Sequence, residues 1–160
     1  MSKKYYKKPR LNVEVWDASP GRVAVWVGGT RPFTANQQQR NTPTVANKPV
    51  RRWRNAVRKH GQLPLKGLTP FPDPATVVCA PAYKDKRARP DVGAVAPCAK
   101  AAIDGLVDLG AWEDDDPDHV VRVVHRVPMM SHSAGDGLLL VVVGGLLIPD
   151  SVFDEVCRWG

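Results

Sequence analysis

Cysteine is scarce: the chain has three, Cys79, Cys98 and Cys157, with no Cys-x-x-Cys spacing. An odd count without that spacing argues against a disulfide framework and a zinc ribbon, and fits a reducing compartment such as the cytoplasm. Long apolar runs are missing as well. The longest, Leu138 to Ile148, is about half the length needed to cross a bilayer, so no membrane association is expected. Lys3 to Arg10 is followed by no apolar run, so no secretory leader is expected. The four histidines, His60, His119, His125 and His132, are scattered without a paired metal spacing, which makes them poor catalytic candidates. Acids are nearly absent from the first 60 residues, where Glu14 and Asp17 stand against 14 Lys and Arg.

What is present suits one folded domain. A hydrophobic content of 43% and a charged content of 24% lie in the ordinary globular range, and 160 residues suffice for a real core. Fifteen prolines point to stiff loops rather than a helix bundle. The net charge of +7 divides unevenly, about +12 over residues 1–60 and −5 over residues 61–160. A basic half suits phosphate neutralisation and an acidic half suits cations; a basic tail and a solvated acidic loop describe the same composition.

Residues 1–10 read as a flexible basic tail carrying Lys3, Lys4, Lys7 and Lys8, and residues 11–160 as a single domain. Alternation over Leu11–Asp17 and Val23–Val27, with Ser19-Pro20-Gly21 between, predicts a hairpin. Residues 28–49 read as polar loop. A helix is expected over Val50–Lys59, with Trp53, Ala56 and Val57 inward and Arg51, Arg52, Arg54 and Arg58 outward, stopped by Gly61. Residues 64–74 read as a Pro-rich linker, and Thr76–Ala80 as a strand. The best-defined helix is Val95–Leu109: Ala99, Ile103, Leu106 and Val107 form its apolar stripe, and Lys100, Asp104 and Asp108 follow at i, i+4 and i+8 on another. Gly110 suits the position after its end. Strands are expected at His119–Val127 and Leu138–Val143, the second buried on both faces, and a short helix after Asp150. The trace is α+β (mixed α/β), with one small sheet packed against two to three helices. The five tryptophans read as core or interface residues.

Two segments carry chemistry. Glu113-Asp114-Asp115-Asp116-Pro117-Asp118 places five carboxylates in six residues. Such a cluster repels itself unless a hard cation sits in it, although an acidic run after a helix is also a common solvated turn. Lys84-Asp85-Lys86-Arg87-Ala88-Arg89-Pro90-Asp91 packs four bases around two acids, which fits phosphate capture beside a metal-binding carboxylate, or a solvated basic loop.

Taken together, Arg87 to Val120 (RARPDVGAVAPCAKAAIDGLVDLGAWEDDDPDHV) resembles the core motif of the RusA-type Holliday junction resolvases. Lys100-Ala101-Ala102-Ile103-Asp104-Gly105-Leu106 matches the family's helix, Gly110 its break and Asp114-Asp115 its acidic pair. Thr34-Ala35-Asn36-Gln37 is similar to the loop after its first strand. The specific match covers about a quarter of the chain. The resemblance implies a RusA-like domain acting as a homodimer on four-way or otherwise branched DNA, with Mg²⁺ as cofactor and Mn²⁺ as a substitute. It implies Asp91 and Asp115 as catalytic, metal-ligating carboxylates, Asp114 as their neighbour at the metal, and Lys100 as the catalytic lysine. Phosphodiester hydrolysis suits those types, because a divalent cation and an ammonium both stabilise charge developing on phosphate. Lys84, Lys86, Arg87 and Arg89, Arg51, Arg52, Arg54 and Arg58, and the lysines of the tail are the expected DNA contacts. One departure matters: where the family has Asp-x-Asp-Asn, this chain has Asp91-Val92-Gly93-Ala94, so the second acid and the asparagine are missing. Asp85, Asp118 or Glu113 replaces the missing ligand, or metal binding is weakened, or the relative binds branched DNA without cutting it.

Overall fold

Period-two alternation in the N-terminal segment builds a hairpin of β1 (Asn12–Ser19) and β2 (Arg22–Gly28). Gly21, at φ 76°, makes the left-handed turn between them, and a bulge between Val15 and Asp17 shifts the register. The computed structural model describes residues 10–85, 90–131 and 133–145. After the hairpin come α1 (Ala35–Gln39), α2 (Pro43–His60), β3 (Ala75–Tyr83), α3 (Ala96–Asp108), β4 (Val120–His125), β5 (Met129–Met130) and β6 (Gly137–Gly144). The architecture is α+β: one mixed six-stranded sheet with three helices among the described residues.

The sheet runs β1-β2-β6-β3-β4, with β5 also paired to β3. β3 lies parallel to β4 and β5, and the other pairings are antiparallel. The two most apolar strands, β6 and β3, occupy the middle, where both faces are covered; all nine residues of β3 are buried. On one face Val25, Val27, Val77, Leu138 and Leu140 meet Trp53 and Val57 of α2 and Ile103 and Leu106 of α3. On the other, Trp26, Val78, Ala80, Leu139 and Val141 form a second cluster, with Trp16 stacked on Trp26 at 4.6 Å between centroids. Leu138 to Val142 is fully buried within one chain. This part of the Leu138–Ile148 run therefore offers no apolar surface to a second copy, and residues 146–148 lie outside the described residues.

Two expectations need correction. Residues 28–49 are not all loop. Thr34 opens α1 with a capping box, its hydroxyl accepting from Gln37 N while Gln37 Oε1 accepts from Thr34 N. Pro43 sits in the first turn of α2, where its missing N–H costs nothing, and the helix runs on through Pro49 rather than starting after it. Gly61 ends α2 at φ −81°, so its role is packing: a Cβ there would lie 2.6 Å from Val57 O and 2.7 Å from Leu109 Cδ1. Two-residue β5 is too short for a period to reveal it. The expected helix after Asp150 lies outside the described residues.

Candidate active site

α3 is amphipathic in the way its spacing predicts. Ala99, Ala102, Ile103 and Leu106 are buried, and Lys100, Asp104 and Asp108 line the outer stripe. Beyond the helix, Gly110 at φ 86° reverses the chain, and its N–H donates to Val107 O at 2.9 Å. The reversal is pinned to the core. Phe71 N donates to Ala111 O at 2.9 Å, Trp112 Nε1 donates to Pro72 O at 3.0 Å, and the Phe71 and Trp112 rings meet edge to face at 5.4 Å. The acidic run therefore doubles back along α3.

Its consequence is the Lys100–Asp115 pair: Lys100 Nζ donates to Asp115 Oδ2 at 2.5 Å across 15 residues, and also to Asp104 one turn on. Lys100 precedes the reversal at Leu109 by nine residues, so the return covers about 13 Å of helix. Burial on its own lowers the Lys100 pKa, but the hydrogen bonds and charges of Asp104 and Asp115 outweigh it and leave the value raised. Lys100 is a fixed cation, unsuited to act as a base. The same hydrogen bond holds the Asp115 carboxyl below its ordinary value against an opposing effect of burial.

The other acids of the run divide by role. Asp114 Oδ1 accepts from Asp115 N at 2.8 Å, which fixes the two carboxylates as neighbours. Asp116 shapes the loop: its Oδ1 accepts from Asp118 N and His119 N, and its carbonyl accepts from Val120 N. Glu113 and Asp118 are exposed. Asp91 is exposed in the turn before α3, its carbonyl accepting from Ala94 N at 3.1 Å, and its carboxylate bonds to none of the other candidate acids. Among the described residues no group of three or more His, Cys, Asp or Glu side chains gathers as a metal site. Lys100, Asp115 and Asp114 thus come together, and Asp91 does not join them. Gly93, which stands where the motif has its second acid, adopts φ 80° in open space.

The basic candidates also separate. Arg54 was expected to contact DNA, but it forms a two-pronged bond to Asp108, Nε–Oδ2 2.7 Å and Nη2–Oδ1 2.8 Å, tying α2 to α3. Hydrogen bonding and charge from Asp108 raise the Arg54 pKa, and Asp108 is lowered in return. Arg51, Arg52 and Arg58 stand exposed on α2. Lys84 is exposed, its backbone N–H donating to Asp136 Oδ1 at 2.8 Å. Lys3, Lys4, Lys7, Lys8, Lys86, Arg87 and Arg89 lie outside the described residues. Sequence reasoning missed the Arg54–Asp108 tie, because 54 residues separate the partners and no local signal links them.

No protein-family model matches the chain, and no curated protein matches it. Among the described residues no helix is long and apolar enough to cross a membrane. The likeness to the RusA-type family therefore rests on the sequence of residues 87–120 alone.

Proposed function

We propose that the protein is a RusA-like, metal-dependent endonuclease of branched DNA. The observation that carries the reading is the Lys100–Asp115 pair with Asp114 beside it: a buttressed cation next to two carboxylates, reached only because the acidic run folds back over α3. Two neighbouring carboxylates repel a phosphate unless a hard cation lies between. Mg²⁺ commonly binds through one or two carboxylates and keeps its waters, so Asp114 and Asp115 suit it without a third protein ligand. When bound, such an ion supplies charge against the scissile phosphate and activates water. Lys100, held as an ammonium by Asp104 and Asp115 in the free protein, offers that phosphate a point charge. Exposed Arg51, Arg52 and Arg58 on α2 supply the salt-sensitive part of binding. A homodimer follows from the reading, because a two-fold junction presents two equivalent strands.

A second reading, a branched-DNA binder that has lost cleavage, is favoured by the absence of a three-residue metal cluster among the described residues and by glycine at position 93. Nicking of a synthetic four-way junction with and without Mg²⁺ separates the two. Restoring an acid by Gly93→Asp meets no steric block but places a side chain at φ 80°, which Asp tolerates better than most residues.

A further inference from the structure

α2 carries six Lys and Arg along its 18 residues and no Asp or Glu. Lys48, Arg51, Asn55, Arg58 and Lys59 are all exposed, and helical spacing gathers them on one stripe about 100° wide. That stripe lies opposite Trp53 and Val57, which α2 buries in the core. Arg54 is taken by Asp108, whereas Lys48, Arg51, Arg58 and Lys59 make no salt bridge among the described residues. Like charges one turn apart, such as Lys48 and Arg51, destabilise a helix. A stripe that keeps four cations without one acid suits an anionic surface. It also borders the site. α3 crosses α2 at Gly105, where a Cβ would lie 2.7 Å from Arg54 O, and the Arg54–Asp108 bond joins α2 to the same outer stripe of α3 that holds Lys100.

The stripe is as notable for having no aromatic residue, since the one aromatic of α2, Trp53, is buried. Proteins that hold single strands stack the bases on aromatic side chains, whereas a duplex turns its bases inward and offers two rows of phosphates. Arg51 and Arg58 stand about 10 Å apart along the helix axis, and Lys48 and Lys59 about 16 Å. That span is comparable to a major groove about 12 Å wide, so the two ends of the stripe can meet phosphates on either side of one groove. We propose that the outer face of α2 is the seat of a duplex arm, holding the backbones of both its strands while the adjoining strand runs on to Lys100. The inference rests on the nucleic-acid reading above and adds which part of the substrate α2 holds.

The test measures binding of a labelled duplex, a single strand of the same length and a four-way junction, without divalent metal and across a salt series. The proteins are wild type, Arg51→Gln, Arg58→Gln, the double variant and Arg122→Gln. Arg122 is the control: it is exposed on β4 and alternates onto the sheet face of Val78 and Val124, away from the helices. Arg51→Gln and Arg58→Gln should each reduce the slope of log affinity against log salt by about one for duplex and junction, and the double variant by about two. Arg122→Gln should leave the slope unchanged, and all the variants should melt with wild type because the replaced side chains are exposed. Lys48→Gln and Lys59→Gln, on the same stripe, stand in for any variant that melts lower. Wild-type binding with unaltered slopes in the α2 variants overturns the seat and leaves the nucleic-acid reading standing, whereas absence of any wild-type DNA binding overturns both. An equal fall for Arg122→Gln reduces the effect to net charge and overturns the proposal. Single-strand binding as tight as duplex binding, with the same dependence on Arg51 and Arg58, overturns the assignment to a duplex.

Discussion

Gly105 sits in α3 where that helix meets α2, and replacing it with alanine tests how closely the site's two helices depend on each other. A Cβ at this position would lie 2.7 Å from Arg54 O, 2.8 Å from Val57 Cβ and 3.0 Å from Val57 Cγ1. None of these atoms yields easily: one is helix backbone, and Val57 is fully buried. Alanine gains about 1 kcal/mol over glycine in a helix interior. Overpacking a core costs about 1–3 kcal/mol, and contacts this short against backbone belong at the upper end. The net expectation for Gly105→Ala is a loss of about 1–2 kcal/mol, or a fall in melting temperature of roughly 2–8 °C for a domain of this size. Urea denaturation and calorimetry measure it. Separation of the helices also strains the Arg54–Asp108 tie, so Asp108→Asn should cost less in the Gly105→Ala background than in wild type. A Gly105→Ala protein as stable as wild type would refute the close crossing.

Asp108→Asn alone should destabilise by about 0.5 kcal/mol in urea at neutral pH, a small figure because Arg54 is nearly half exposed and its pairing is screened. Asp108 is lowered in the folded state, so its contribution is present above the unfolded carboxyl value and lost as pH falls below about 4, where the variant and wild type should converge. His119 is raised, chiefly by its 2.8 Å hydrogen bond to Asp73, so that pair stabilises fully below the unfolded histidine value of about 6.5 and fades as pH rises through the folded value. His119→Gln should therefore cost more at pH 5.5 than at pH 9 in the same assay. Because Asp91 stands apart from Lys100, Asp114 and Asp115, Asp91→Asn should leave Mg²⁺-dependent nicking near the wild-type rate, with junction affinity, read by fluorescence anisotropy, unchanged or improved; abolished nicking would return Asp91 to the site.

The sequence made α3 legible because its apolar residues recur at three and four and its charged stripe at four. β6 was readable as a central strand from an unbroken apolar run, which a half-exposed strand could not afford. The first half of α2 was not readable, since Pro49 and the polar residues before it mimic a loop, and the buried residues of the helix, Trp53 and Val57, both lie in its second half. At the site, the Lys100–Asp104 pair follows from helical spacing. The Lys100–Asp115 pair does not: it depends on a reversal at Gly110 held by Phe71, Pro72 and Trp112, and only the resemblance pointed to it. The Arg31–Gln37 segment also meets Tyr83 and Pro90 around one cavity, a meeting that no local pattern announces.

The central claim is that Lys100 and the Asp114–Asp115 pair form a phosphodiester-cleaving centre. Nicking of a labelled four-way junction tests it most directly, in Mg²⁺ and in EDTA, with wild type, Lys100→Ala, Asp115→Asn and Glu14→Gln, the last on the distant edge strand β1. The account predicts Mg²⁺-dependent paired nicks from wild type and Glu14→Gln, and none from Asp115→Asn or Lys100→Ala with junction binding retained. Wild type that binds the junction but never cuts it, or an Asp115→Asn protein that cuts as fast as wild type, would contradict it.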